Sequence, residues 1–233
     1  MRIFKNIFNK NKGKNNKISK GSKINLHYKI RGNNNEIKIE GGSEFGRDFN
    51  IFVKIFGDNN RVIIKKPYNI KNLLVNIENH VPINNCTVFI DELTSMVDVK
   101  MLVFQHNSCI RIGKNCTFSR NIQIRTGELP HFIFDIETGE YLDKNTILKI
   151  GNHVWIGENS MILKNASIAD DNIIGCNSVV TKKFDENNSV IAGNPAKIRK
   201  RGVKFIKNDL ELQNYPKYFE CYKKFLSDKE KLL

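Results

Sequence analysis

No run of eighteen apolar residues occurs in the chain, so no membrane-spanning helix is predicted. The opening MRIFKNIF has basic residues but lacks the apolar core of a secretory signal. Cysteine is scarce: Cys86, Cys109, Cys116, Cys176 and Cys221 are odd in number and form no CxxC pair. That pattern suits a reducing, cytoplasmic setting better than a disulfide framework or a zinc knuckle. Acidic residues are missing from the first 31 positions, which hold ten Lys or Arg and many Asn, so residues 1–24 are expected to form a solvated basic arm. Over the whole chain 38 Lys+Arg against 24 Asp+Glu give +14, which implies an anionic partner: a phosphate-bearing cofactor, an acidic polysaccharide, nucleic acid or an anionic membrane surface.

What the chain does have is a period of six. Ile150, Ile156, Ile162, Ile168, Ile174 and Val180 follow one another without a slip. Neither an α-helix nor an isolated strand produces that spacing. It is the signature of a hexapeptide-repeat solenoid, in which short strands wind into triangular coils and one aliphatic side chain per side enters a stacked interior. Val154, Ser160, Ala166, Asn172 and Ser178 sit four places on, and Gly151, Gly157 and Gly175 follow three of the aliphatic positions, where tight corners are expected. Each inward Ile or Val contributes about 1.5–3 kcal/mol, so the stack stabilises itself layer by layer.

A looser repeat precedes the clean one. Asn34–Ile39, Asn59–Ile64, Asn85–Ile90 and Asn107–Ile112 each read as a polar corner followed by a short strand, and their ends are 25, 26 and 22 residues apart. Asn at corners fits, because it tolerates the left-handed backbone region better than other non-glycine residues. Residues 25–124 are therefore assigned to irregular coils of the same solenoid and 150–196 to regular ones. Residues 125–149 interrupt the hexads and must loop out of the stack; long ordered loops tend to be functional. From Pro216, Tyr218, Phe219, Tyr222, Phe225 and Leu226 keep helical spacing, which predicts a C-terminal helix within the basic segment 197–233, packed on the solenoid or on a neighbouring subunit.

The elements Ile150-Gly151-Asn152-His153-Val154-Trp155-Ile156-Gly157, Ile174–Lys182 and Ala192-Gly193-Asn194-Pro195-Ala196-Lys197, with the loop His131-Phe132-Ile133-Phe134-Asp135-Ile136-Glu137-Thr138-Gly139-Glu140, resemble the left-handed β-helix hexapeptide-repeat acyltransferases. The resemblance is closest to bacterial O-acetyltransferases that modify sialic acid in capsule polysaccharide. It implies an all-β fold, a left-handed parallel β-helix with an extruded loop and a C-terminal helix, assembled as a homotrimer with sites between adjacent solenoids. It implies acetyl-CoA as donor and an acidic glycan as acceptor, with His131 as base and Trp155, 24 residues later, lining the acetyl end. CoA contacts would come from Glu158, Cys176, Thr181 and Lys182, and from Lys197 and Lys200 near the phosphates. Relatives usually carry an Asp two residues before the His; here Glu128, Leu129 and Pro130 stand there, so Glu128 is the nearest candidate to orient the imidazole.

The chemistry fits those residue types. A sugar hydroxyl is a poor nucleophile until its proton is being removed, and an imidazole titrating near about 6.5 suits that task. His27, His80, His106 and His153 lack close partners in sequence and are read as structural, His153 as a solvated corner. A zinc site would need three ligating histidines and no close pair exists, so no metal is expected. Three readings result: an O-acetyltransferase on an acidic carbohydrate, an N-acetyltransferase on a nucleotide-linked amino sugar, and a catalytically silent solenoid that scaffolds partners. Binding of nucleic acid through the basic arm belongs to the last.

Overall fold

The computed structural model describes residues 9–42, 49–144 and 147–230. The predicted solenoid is there, built almost entirely of parallel strand pairs in two sheets, one of 14 strands and one of 8. Coils wind over three faces. Face 1 carries Ser95–Met96, Thr117–Phe118, Trp155–Ile156, Ile173–Ile174 and Ser189–Ala192, and face 2 carries Val99–Val103, Ile122–Thr126, Met161–Ile162 and Val179–Val180. Face 3 is the 8-stranded sheet, from Lys17–Lys20 through Glu36–Ile39, Arg61–Ile64, Thr87–Ile90, Cys109–Ile112 and Ile147–Ile150 to Lys183–Phe184. In the early coils faces 1 and 2 are one surface, since Ile24–Arg31 and Phe49–Phe56 run straight across both. The sheet forks at Asn69–Ile77, whose Asn69 and Ile70 pair with face 1 while Leu73 to Asn76 pair with face 2.

The hexads explain the regular coils. Ile150, Ile156, Ile162, Ile168, Ile174 and Val180 are all buried, as are the short residues Val154, Ser160, Ala166, Asn172 and Ser178. The residue before each of those five, His153, Asn159, Asn165, Asp171 or Asn177, turns the corner with positive φ. The glycines were expected to supply that geometry and do not. Gly157 is required by close stacking instead: a Cβ there would lie 2.7 Å from the Cys176 nitrogen of the next coil.

The segment 1–24 departs from the expected arm. Residues 1–8 lie outside the described residues, but Lys10–Lys12 and Lys17–Lys20 join the stack: Lys10 to Lys12 pair in register with Lys29 to Arg31, Lys17 to Lys20 with Glu36 to Ile39, and Ile18 packs against the core. At the other end α1 (Asp209–Gln213) is capped by Asn208, whose side chain accepts from the Glu211 N–H. The helix predicted from Pro216 is α2 (Pro216–Glu230); none of its residues 216–227 is buried, so this solenoid does not cover its aromatic face. Among the described residues no helix is long and apolar enough to cross a membrane.

Side-chain ladders hold the irregular coils in register at the corner between faces 2 and 3. Asn33 N–H donates to Asp58 Oδ1 (2.7 Å), Asp58 N–H to Asn84 Oδ1 (2.8 Å) and Asn84 N–H to His106 Nδ1 (3.1 Å). Buried Asn60 accepts from the Cys86 N–H at 2.9 Å and donates to the Ile83 carbonyl at 2.8 Å. Asn60→Ala orphans both groups; at about 1–3 kcal/mol for each buried unsatisfied group, urea unfolding should report a loss of about 2–6 kcal/mol. A loss below about 0.5 kcal/mol would show that the ladder contributes little.

Candidate active site

The Asn ladder ends where the chain leaves the stack. After Ile122–Thr126 on face 2, the next corner opens into a hairpin that returns to face 3 at Ile147–Ile150. Its base is pinned. Gly127 has φ +75°, and a Cβ would lie 2.3 Å from that of Gln105, so only glycine fits between this turn and the coil above. The Leu129 N–H donates to the Phe104 carbonyl (3.1 Å), Asn79 Nδ2 donates to the Leu129 carbonyl (2.6 Å), and the Leu129 side chain is buried. His131 follows, its N–H donating to the Glu128 carbonyl at 3.0 Å. The His131 ring is exposed and has no hydrogen bond or ion pair among the described residues.

Beneath the hairpin lies a charge cluster that the sequence did not suggest. Asp143, 1 % exposed, takes Lys164 Nζ on Oδ1 (2.8 Å) and the Glu128 N–H on Oδ2 (2.7 Å). Gln105 Nε2 donates to the Asp143 carbonyl and to the Tyr141 hydroxyl. The Glu128 carboxylate pairs with Arg125 and stands 4.0 Å from Lys164 Nζ. It makes no described contact with the imidazole it was expected to orient. Farther out, Phe134 and Tyr141 bridge the two arms, and Asp135 Oδ1 accepts from the Glu137 and Thr138 N–H groups and the Thr138 hydroxyl. Those bonds hold the Asp135 carboxyl below its usual range. The arms expose Phe132 (64 %), Phe134 and Leu142, and the tip Ile136 is 99 % exposed.

Trp155 opens its strand on face 1, beside the corner that joins faces 3 and 1. Its ring is 37 % exposed, donates Nε1–H to Ser119 Oγ (3.3 Å) and stacks on Phe205 at 5.3 Å. Phe205 also stacks on His153 at 4.9 Å, and His153 is not the solvated corner predicted for it: Asp171 stands 2.8 Å from Nδ1 and Glu211 3.3 Å from Nε2. This histidine ties the C-terminal segment to the coils. The hairpin, in contrast, leaves the corner between faces 2 and 3. Within one chain face 3 separates His131 from Trp155, and no described contact joins them.

The remaining residues fall into two groups. Glu158 and Cys176 are exposed at stacked corners between faces 1 and 2, where the Asn177 N–H donates to the Glu158 carbonyl at 2.9 Å. Thr181 and Lys182 lie at the next corner, and Lys182 meets Lys197 around a hollow of ≈ 480 Å³ also lined by Lys183, Phe184, Asp185, Glu186, Ile198 and Arg201, the last ion-paired with Glu186 at 2.6 Å. Lys200, on the strand Lys197–Arg201, does not line it. Cys176 and Cys221 are exposed, whereas burial raises the Cys86 thiol to about 11 and Cys116 to about 12. Among the described residues no three His, Cys, Asp or Glu converge as metal ligands.

The family described as bacterial transferase hexapeptide (six repeats) matches residues 148–182. The polysialic acid O-acetyltransferase of Neisseria meningitidis is 33 % identical over 81 residues, 35 % of this chain and 37 % of the relative. That of Escherichia coli O1:K1 is 31 % identical over 100 residues, 43 % of this chain and 32 % of the relative, so these alignments span about a third of the relatives' length. Two solved structures match farther. The polysialic acid O-acetyltransferase OatWY superposes with TM-score 0.71 at 28 % identity, over 84 % of this chain and 90 % of that one. The polySia-specific acetyltransferase NeuO does so with TM-score 0.73 at 26 % identity, over 91 % and 95 %.

Asp143→Ala should free the hairpin base. Removing the buried carboxylate leaves the Glu128 N–H unpaired and Lys164 with only Glu128, 4.0 Å away; Lys164 can reach solvent, so the cost is set at about 3 kcal/mol, the low end for a broken buried pair. Hydrogen exchange at Leu129 and His131 should accelerate while that of Ile162 stays slow. Unchanged exchange would show that Asp143 does not anchor the hairpin.

Proposed function

We propose that this chain, which belongs to the left-handed β-helix hexapeptide-repeat acyltransferases, transfers an acetyl group from acetyl-CoA to a hydroxyl of an acidic carbohydrate. The observation that carries the reading is the exposed imidazole of His131, on a hairpin pinned to a solenoid that matches a polySia-specific acetyltransferase along 91 % of this chain. Sialic acid in a polysaccharide is the acceptor class suggested by the specificity of both solved relatives. The net charge of +14 suits a polymer carrying one carboxylate per sugar and a donor carrying phosphates.

His131 acts as general base. One ring nitrogen takes the proton of the acceptor hydroxyl as the oxygen attacks the thioester carbonyl, and the tetrahedral intermediate collapses by expelling the CoA thiolate. The imidazolium then gives that proton to the departing sulfur, so the ring returns to its starting state. Base catalysis of this kind supplies about 10²–10⁴-fold. Trp155 lines the donor's acetyl end, and Glu158, Cys176 and Thr181 follow the pantetheine arm along the coil corners. Lys182 and Lys197, with Lys200 nearby, meet the CoA phosphates, which favour clustered cations.

Separation of His131 from Trp155 by face 3 supports a site shared between copies, the hairpin of one meeting the tryptophan corner of the next. The exposed Phe132, Phe134 and Ile136 favour the same arrangement, since an apolar hairpin gains by burial against a neighbour. A homotrimer closes such head-to-tail contacts into a ring.

His131→Ala should lower kcat for acceptor-dependent CoA release by about 10²–10⁴-fold while CoA still binds; unchanged turnover would remove His131 from the reaction. A second test reads binding alone. Saturating CoA should slow alkylation of Cys176 several-fold and leave exposed Cys221 unaffected; equal rates with and without CoA would place the donor elsewhere.

A further inference from the structure

Face 2 carries a registered strip that leads to the hairpin. Outward from the sheet, Lys10 lies beside Lys29, Lys29 beside Lys54, Lys54 beside Asn76, Asn76 beside Leu102, and Leu102 beside Arg125. Arg125 is the residue that holds Glu128 at the hairpin base. Two further columns flank this one. In the first, Lys12, Arg31 and Phe56 are neighbours, with the Arg31 guanidinium 4.5 Å from the Phe56 ring. In the second, His27, Phe52, Leu74 and Lys100 are neighbours, with the His27 ring stacked on Phe52 at 4.8 Å.

Like charges in direct register across neighbouring strands oppose folding. Lys10 against Lys29, Lys12 against Arg31 and Lys29 against Lys54 repeat that conflict on successive coils. Arg31 is answered by Glu78 at 3.4 Å, but Lys10, Lys12 and Lys29 have no ion pair among the described residues. Coils are spaced about 4.8 Å apart, so five steps from Lys10 to Arg125 cover roughly 24 Å. Three lysines in succession, then neutral Asn76 and Leu102 and finally Arg125, with aromatic rings beside the lysine part, match a linear polymer whose units each carry a carboxylate and an apolar ring face.

We infer that this strip is the acceptor track: the acidic polysaccharide lies along face 2, parallel to the solenoid axis, and the column from Lys10 to Arg125 delivers it to the hairpin of His131. The inference rests on the acetyltransferase reading and adds to it a binding surface outside the reacting centre. A nucleic acid would also satisfy the charges. The polysaccharide is favoured because the column ends at the base of the hairpin that presents the imidazole.

Direct binding tests the track without requiring turnover. Labelled polysialic acid chains of about twenty sugars and of four sugars, and duplex DNA of equal charge, would be titrated against wild type, Lys29→Ala/Lys54→Ala and, on face 3, Lys38→Ala/Lys149→Ala. The long chain should bind wild type at least tenfold more tightly than the tetramer. The face 2 pair should weaken long-chain binding about tenfold and lower the salt slope of log Kd by about two; the face 3 pair should leave it within twofold. Equal loss from both pairs would reduce the effect to net charge, and DNA binding as tight and as sensitive would make face 2 a nucleic-acid surface; either overturns the track, as would no effect of chain length. Acceptor-dependent CoA release from the tetramer by wild type, measured beside these titrations, reports on the transferase reading separately.

Discussion

The structure depends on one constraint: every coil must sit in register on the one before it, although each side of the triangle contributes only two to five backbone pairs. Side-chain acceptors meet that constraint. Asp58 Oδ1, Asn84 Oδ1 and His106 Nδ1 take N–H groups from the adjacent coil at one corner, and in the regular coils Asn152 and Asp170 do the same for Lys114 and Asn152 at another. Inward aliphatic residues drive the stacking, but they are interchangeable along the axis and do not by themselves select the register. The corner acceptors do, because a slip would part each from the N–H it accepts, at half-buried positions in the irregular coils. His106 thereby has a structural role, and its accepting Nδ1 places the ring proton on Nε2.

The ladder also determines where chemistry can be placed. Its last member, His106, precedes the coil whose corner opens into the hairpin, which emerges there onto a stacked support. Glu128, Asp143, Arg125 and Lys164 then convert a flexible excursion into a pinned one, with three of the four belonging to the hairpin or its flanking strand and Lys164 to the coil beyond. Under the proposed function, a loop anchored in this way would present the His131 imidazole at little entropic cost when substrate arrives.

Much of this was legible in the sequence, and the limits have physical causes. The hexads from Ile150 to Val180 carry the regular coils because a period of six has no competing explanation, and the break after Ile124 announces the excursion. Pro216 marks the first turn of α2 correctly. The basic opening segment read as a solvated arm because its charge masks Ile18 and Ile24, which suffice to enter the stack once neighbouring strands supply hydrogen bonds. His153 read as solvated because its partners, Asp171 and Glu211, are 18 and 58 residues away. The Asp143 cluster and the face 2 strip escaped for the same reason: both depend on pairing between coils some twenty residues apart, which a period of irregular length conceals.

In the proposed assembly the hairpin imidazole of one copy works opposite the tryptophan corner of the next. Co-expression of His131→Ala chains with Trp155→Ala chains tests it most directly, since each parent lacks one half of the site and mixed assemblies restore complete sites at some junctions. Purified mixed assemblies should regain a substantial fraction of wild-type acetyl transfer while either parent alone is nearly inactive. Mixtures no more active than the sum of their parents would contradict a site built between copies.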